Sequence, residues 1–301
     1  MRKILVRVLV VLAVVAIGVA AFLHRQVHDL ETVELADDVL MISGLGSNVG
    51  ILRTELGAVV VDTMTFRSQG ARVRAAAEGF AGGDVVAVVN THYHLDHTHG
   101  NPAFDAGVDV ISSKRTRHHM TTLDADYWQG SAASVLPDTT FDEKYTLTIG
   151  GKTVECLHLG RGHTDGDIVV RFVDERIVHT GDLFFNGRFP NIDLEAGGSV
   201  REWPATIDRI LELDFDRLIP GHGPATDRAG LERFRAFMVE LGEVGRRAAD
   251  AGWSLERTLA ETELTTTAGM EDYEIPFVLK LDRDFVVRRA WEEATGAVTA
   301  P

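Results

Sequence analysis

His92-Tyr93-His94-Leu95-Asp96-His97 places four side chains of metal-ligating type within six residues. The run before it, Asp84-Val85-Val86-Ala87-Val88-Val89-Asn90, is short, apolar and β-branched, the pattern of a buried strand. The ligand-type residues therefore start where a strand gives way to a loop, which is where open α/β sheets place their sites. So short a loop cannot turn four side chains onto one point. It can aim His92 and His94 one way and Asp96 and His97 another, which suggests two adjacent metal positions. Imidazoles with one carboxylate suit zinc best, with iron and manganese as alternatives. The plainer reading is a polar loop with chance histidines. Against it, the chain has 12 His in 301 residues, and His92, His94, His97 and His99 crowd into this one stretch.

Composition bounds the rest. Hydrophobic residues make up 45% and charged residues 25%, ordinary for a globular chain with a sizeable core. The net charge of −15 argues against nucleic acid as a partner, because that binding rests on Lys and Arg neutralising phosphates. A small-molecule substrate is the expected partner. Cys156 is the one cysteine; it sits in an apparent strand and reads as a buried structural thiol. At the amino terminus, Met1-Arg2-Lys3 is positive and Val8 to Leu23 is an unbroken apolar run followed by a polar stretch. Residues 1–25 read as a signal peptide or an uncleaved signal anchor. Either implies export, to the periplasm or beyond or to the outer face of the cytoplasmic membrane, with that segment as the tether if it is kept. Residues 26–301 are then expected to form one catalytic domain.

Alternating patterns predict strands over 32–43, 48–54 and 58–62, and a helix over 66–80. Residues 108–112 follow as a strand and 114–122 as a helix. Residues 124–140 lack periodicity and read as a long loop near a pocket. Gly150-Gly151 and Asp174-Glu175 read as the turns of two hairpins. Helices are expected over 201–213, 229–251, 254–261 and 276–295, with a brief strand at 217–219. Strands alternating with helices, and no linker, predict an α/β layered architecture.

Three further clusters share the form of the first, an apolar strand running into a Gly-rich turn with a ligand-type residue. They are Leu157 to Asp165 with His163, Val178-His179-Thr180-Gly181-Asp182, and Leu218-Ile219-Pro220-Gly221-His222-Gly223. Glycine lets the backbone turn sharply and approach a site closely. Singly each is weak, since Gly-His-Gly is more often a turn than a ligand. Four in order are strong together.

With these motifs in place, the chain resembles the metallo-β-lactamase-fold hydrolases over about residues 32–225, through His92-x-His94-x-Asp96-His97, His163, Asp182 and His222. The resemblance implies an αββα sandwich, two mixed sheets flanked by helices, with two divalent metals at one edge. It implies that His92, His94 and His163 hold one metal, that Asp96, His97 and His222 hold the other, and that Asp182 bridges them. Cations roughly 3.5–4 Å apart lower the pKa of a shared water toward neutrality, so that a bridging hydroxide attacks the substrate. Asp96 is the expected proton carrier.

The resemblance is specific for the fold and weakly specific for the substrate. Zinc β-lactamases of this fold generally lack a bridging aspartate, so Asp182 looks more like the lactonase, glyoxalase II and general metallohydrolase branches. Residues 181–199 also look like a branch linked to periplasmic quinoprotein systems. The expected reaction is hydrolysis of a small ester, lactone, thioester or amide. The rivals are β-lactam hydrolysis and a non-catalytic metal-binding accessory protein of an oxidative pathway. His99 stands where relatives commonly have Gly, and reads as a pocket residue, an outer partner of a ligand, or a solvated loop residue. Tyr127, Trp128, the stretch Phe184 to Phe189 with Asn186, and the Met41 to Ser47 turn are candidate substrate contacts. Ordinary packing is an equal reading of the aromatic ones. His118 and His119 on a helix, and His24, His28, His158 and His179, read as structural or exposed. Asp165 and Asp167 read as turn caps.

Overall fold

A computed structural model of the chain describes residues 29–104, 107–275 and 279–297. The apolar segment at 1–25 lies outside these residues. No helix among the described residues is long and apolar enough to cross a membrane.

Two large sheets face each other. The first has seven strands in sequence order: β1 (Glu31–Ala36), β2 (Val39–Ser43), β3 (Val49–Thr54), β4 (Gly57–Val61), β5 (Val85–Val89), β6 (Asp109–Ser113) and β7 (Thr139–Phe141). The pairs β1 to β4 are antiparallel, and those from β4 to β7 are parallel. The second sheet has five strands, β8 (Lys144–Ile149), β9 (Lys152–Leu157), β10 (Val169–Phe172), β11 (Ile177–His179) and β12 (Arg217–Ile219), antiparallel except for the β11–β12 pair.

The period-2 alternation of the strands explains the layers. In β4, Val59 and Val61 turn inward to meet Val154, Cys156, Val170 and Phe172 of the second sheet. Their neighbours Ala58 and Val60 turn outward under Val73 and Ala77 of helix α1 (Arg67–Ala81). On the other side, Val169 and Val178 turn outward to a helical layer. It is made by α4 (Trp203–Leu211), α5 (Arg228–Asp250) and α7 (Arg283–Thr295), through Trp203, Phe234, Phe237 and Val286. The expected four-layer αββα sandwich is therefore what the chain forms. The remaining helices are the single turn α2 (Leu95–Thr98), α3 (Lys114–Thr122) and α6 (Leu255–Glu261).

Three local expectations need correction. Residues 32–43 are two antiparallel strands, folded at Asp37-Asp38 with a register shift between Glu34 and Ala36. The expected loop at 124–140 contains a 3-10 turn, Ala132–Val135, and strand β7, which gains its pairing from β6 rather than from any periodicity of its own. The closing helix begins at Arg283 rather than 276, because the Asp282 carboxylate accepts from Phe285 N–H and caps it. Before that cap, β13 (Tyr273–Ile275) and β14 (Leu279–Leu281) pair as a small hairpin. Cys156 is buried between the sheets, and burial pushes its thiol up to about 12.

Candidate metal centre

Each ligand-type residue lies beyond the carboxyl end of a strand. His92, His94, Asp96 and His97 follow β5, His163 follows β9, Asp182 follows β11 and His222 follows β12. The fold gathers them into two groups, His92, His94, His163 and Asp182 in one, and Asp96, His97 and His222 in the other. Within each group the donor atoms all lie within 4.8 Å of one another.

Asp182 faces both groups. Its Oδ1 lies 3.1 Å from His97 Nε2 and 3.3 Å from His222 Nε2. Its Oδ2 lies 3.6 Å from His163 Nε2 and 3.8 Å from His92 Nε2. Asp96 Oδ2 lies 3.4 Å from His222 Nε2, and His163 Nε2 is 2.7 Å from His94 Nδ1.

The donor set fits cations. His92 Nε2, His97 Nε2 and Asp182 Oδ1 are buried with no hydrogen-bond partner. Three orphaned polar atoms in one spot would be costly in a folded core unless a further group satisfies them. The outer nitrogens, by contrast, are engaged. His97 Nδ1 is 2.7 Å from Asp62 Oδ2, His94 Nε2 is 2.9 Å from Asp193 Oδ2, His163 Nδ1 is 3.0 Å from the Asn191 carbonyl, and His92 Nδ1 is 3.1 Å from Thr91 Oγ1. Such contacts fix each ring so that the free nitrogen points inward, as metal-binding histidines require.

Electrostatics follow the same layout. Burial and the nearby His97 hold His92 well below the ordinary imidazole value. Burial likewise holds His163 down at about 4. At His97 burial also opposes charge, but Asp182, Asp62 and Asp96 outweigh it and raise the pKa well above the ordinary range. Burial would raise Asp182, yet His222 and His97 pull it well below the usual carboxylate range.

Two residues with no assigned role in the sequence reading belong to this centre. Asp62 directly follows β4, is fully buried, and also accepts from Thr91 N–H and Thr91 Oγ1. Its φ of 66° is a left-handed conformation, tolerated by Asp and common near functional sites. Asp193 also accepts from the Tyr93 hydroxyl at 2.5 Å and from Ala196 N–H. Its own N–H donates to the His163 carbonyl, so it ties two ligand segments together. The signal for Asp62 was its place directly after an apolar strand, the same signal that marked the ligands; Asp193 stood only within the stretch that carried the branch resemblance.

None of Tyr127, Trp128, His99 and Asn186 lines the cavity that opens beside the centre. That cavity, of about 480 Å³, lies beside His222 and is lined by Asn48, Arg188 and Tyr273 among others. Trp128 is buried and donates to Asp124, which also meets His99 Nε2 at 2.8 Å. Tyr127 stacks on His99 at 3.4 Å and donates to its carbonyl. Asn186 donates to the Pro224 carbonyl. These side chains brace loops, whereas Arg188, inside the candidate stretch Phe184–Phe189, and Tyr273, which had no role in the sequence reading, line the cavity. Met41 is buried under the first sheet, whereas Ser43 to Gly46 of the 41–47 turn do line the cavity. His119 meets Asp165 at 2.7 Å, His158 meets Asp167 O and Arg115, and Asp167 caps the turn at Thr164. Buried His179 accepts from Gly181 N–H and reaches the Asn48 carbonyl at 3.3 Å.

A family model described as the metallo-beta-lactamase superfamily matches residues 42–222, the stretch that carries every one of these ligands. Among curated proteins, the α subunit of 2,4-dinitroanisole O-demethylase from Nocardioides sp. is 27% identical over 180 residues, 58% of this chain and 53% of that one, so the chain spans about half of this relative. A type 2 metallo-beta-lactamase of Bacillus sp. is 26% identical over 60% of this chain and 68% of its own length. An acyl-coenzyme A thioesterase of Bos taurus is 25% identical over 60% of this chain and 74% of its own. Among solved structures, a metallo-beta-lactamase from Pontibacter korlensis has a TM-score of 0.60 at 26% identity, over 70% of this chain and 99% of that one. A sec-alkylsulfatase from Pseudomonas sp. has a TM-score of 0.72 over 88% of this chain and 50% of its own, sharing the fold at 18% identity. With its sandwich and its paired ligand groups, the chain belongs to the metallo-beta-lactamase superfamily of metal-dependent hydrolases.

Proposed function

We propose that the chain is a two-metal hydrolase, with zinc as the resident ion, that cleaves an ester, lactone, thioester or amide in a small molecule. The observation that carries this reading is Asp182, whose two oxygens face different ligand groups. His92, His94 and His163 would hold one ion, Asp96, His97 and His222 the other, with Asp182 shared. When bound, the pair supplies Lewis acidity and a water acidic enough to react near neutrality.

The chain's own residues do the rest. Asp62 and Asp193 hold His97 and His94 in the ring orientations that turn their other nitrogens into the ligand groups. Asp96 is the more exposed of the two acidic ligands, its side chain 23% accessible against 4% for Asp182. It therefore has a path for taking a proton from the attacking water and passing it to the leaving group. Phe185 stacks on His222 at 5.0 Å and covers that side of the centre. Export through the amino-terminal apolar segment is part of the same reading.

The test is metal content together with hydrolysis of a panel: a lactone, an aryl ester, a thioester, an amide and a chromogenic β-lactam. Turnover of one of the first four by protein carrying two ions per chain supports the reading. Turnover of the β-lactam alone would replace it, and metal without any turnover would favour the accessory role.

A further inference from the structure

Leu45, Phe66 and Leu95 are three of the six large apolar side chains exposed among the described residues, each between 36% and 50% accessible. They come from three separate loops, and specific bonds hold those loops together. The side chain of Gln69, buried in α1, donates to the Leu45 carbonyl at 2.7 Å and accepts from the Phe66 N–H at 3.1 Å. Ser47 Oγ donates to the Asp96 carbonyl at 2.6 Å, which ties the Leu45 loop to the ligand loop beside Leu95. Gly46 is packed between the other two loops; a Cβ there would lie 2.8 Å from Thr65 Oγ1 and 3.5 Å from Asp96 Cβ. Leu45 also lines the cavity beside His222. The three apolar residues therefore stand together at the rim of the metal centre, on fixed backbone. Apolar groups held exposed in one place are unfavourable in water and mark a contact surface.

The point at which the chain enters the fold indicates what covers this rim. Asp29 lines the same cavity as Leu45. A Cβ on Gly44, next to Leu45, would lie 2.6 Å from Leu30 Cδ2 and 3.4 Å from the Asp29 carbonyl oxygen. The apolar run Val8 to Leu23 ends six residues before Asp29. A stretch of that length spans about 20 Å at most. With the run in a bilayer, the Asp29 side of the rim can stand no further than this from the lipid surface. The net charge of −15 gives no attraction to anionic headgroups, so the contact is apolar and suits zwitterionic lipid.

We propose that the rim formed by Leu45, Phe66 and Leu95 docks on a lipid surface, with these side chains at the boundary of headgroups and acyl chains and the mouth of the metal centre turned toward the bilayer. This rests on the reading of the apolar run as an anchor that is kept, and not on hydrolysis. The full chain, with its amino-terminal run, is reconstituted into phosphatidylcholine vesicles with and without brominated acyl chains. An environment-sensitive fluorophore is attached to Leu45→Cys, to Phe66→Cys and, as a control, to Leu56→Cys; the native Cys156 is buried and does not compete for it. Leu56 is 65% exposed and lies in the turn before β4, at the end of that strand away from Asp62. Labels at positions 45 and 66 should shift to the blue on reconstitution, and brominated lipid should quench them at least about twofold more than the label at position 56. Chain recovered with the vesicles but quenched equally at all three positions, or at none, overturns the proposal and leaves the anchor reading standing. Chain that stays out of the vesicle fraction overturns both. Labels at positions 45 and 66 that are shielded from aqueous iodide without quenching by the lipid would place a second copy on the rim, and overturn the proposal as well.

Discussion

Asp193 and Asp62 are outer partners of metal-type histidines, and truncating either frees a ring that has one useful orientation. Asp193→Ala is expected to weaken metal binding at the His92–His94–His163 group by about 10- to 100-fold and to spare the other group. A competition titration with a chromophoric chelator reads this directly; unchanged affinity would deny Asp193 its positioning role. His179 makes a prediction away from the ligands. Burial lowers its pKa from 6.5 to about 4, so the folded state takes up its proton less readily than the unfolded chain. That contribution to stability is intact above pH 6.5 and is lost as pH falls from there toward 4, about 3 kcal/mol at the limit. The fall in urea midpoint across that window should be shallower in His179→Gln, which retains a donor and an acceptor but cannot charge. Equal slopes in the two proteins would contradict this account.

At the scale of elements, the site depends on turns that bring strands' ends together. Gly221 follows β12, and a Cβ there would sit 2.0 Å from Asp182 Oδ1 and 2.7 Å from the Gly181 carbonyl carbon. One neighbour is backbone and the other a buried carboxylate wedged between His97 and His222, so Gly221→Ala should displace Asp182, lower metal content and cost about 1–3 kcal/mol of stability. Metal analysis and a denaturation curve check both effects; wild-type values in each would show that the close approach is not needed. These turns were also what made the site legible. Ligand-type residues after apolar strands at 85–90, 178–182 and 218–223 could be read because strand ends and glycines leave local signals. What could not be read locally was long-range. Strand β7 exists through its pairing with β6, and β13 through its pairing with β14. Trp128 looked like a pocket wall because an aromatic residue in a non-periodic stretch fits a pocket or a satellite core equally well, and here it packs with Met120 and Val135. The start at Arg283 was readable from Asp282, but a uniform apolar spacing across 276–295 masked it.

Over the whole molecule, the centre lies at one edge of a sandwich and takes ligands from both sheets, so bound ions would clamp the two sheets together. Anything bound to the folded state alone stabilises it by mass action. Removing the ions with a chelator should lower the melting temperature by about 5 °C or more, reversibly on adding zinc. An unchanged melting curve would mean that the ligands do not hold metal in the folded chain. The parallel core of β4 to β6 and the antiparallel second sheet supply the frame on which this edge is built, and their apolar faces were plain in the sequence. The account stands most directly on Asp182 as a shared ligand, and the measurement that tests it is the metal stoichiometry of the wild-type chain against Asp182→Ala, by elemental analysis after dialysis. Two ions per chain in the wild type and one or none in a folded Asp182→Ala protein is the predicted result. Two ions retained in Asp182→Ala, or none in the wild type, would contradict it.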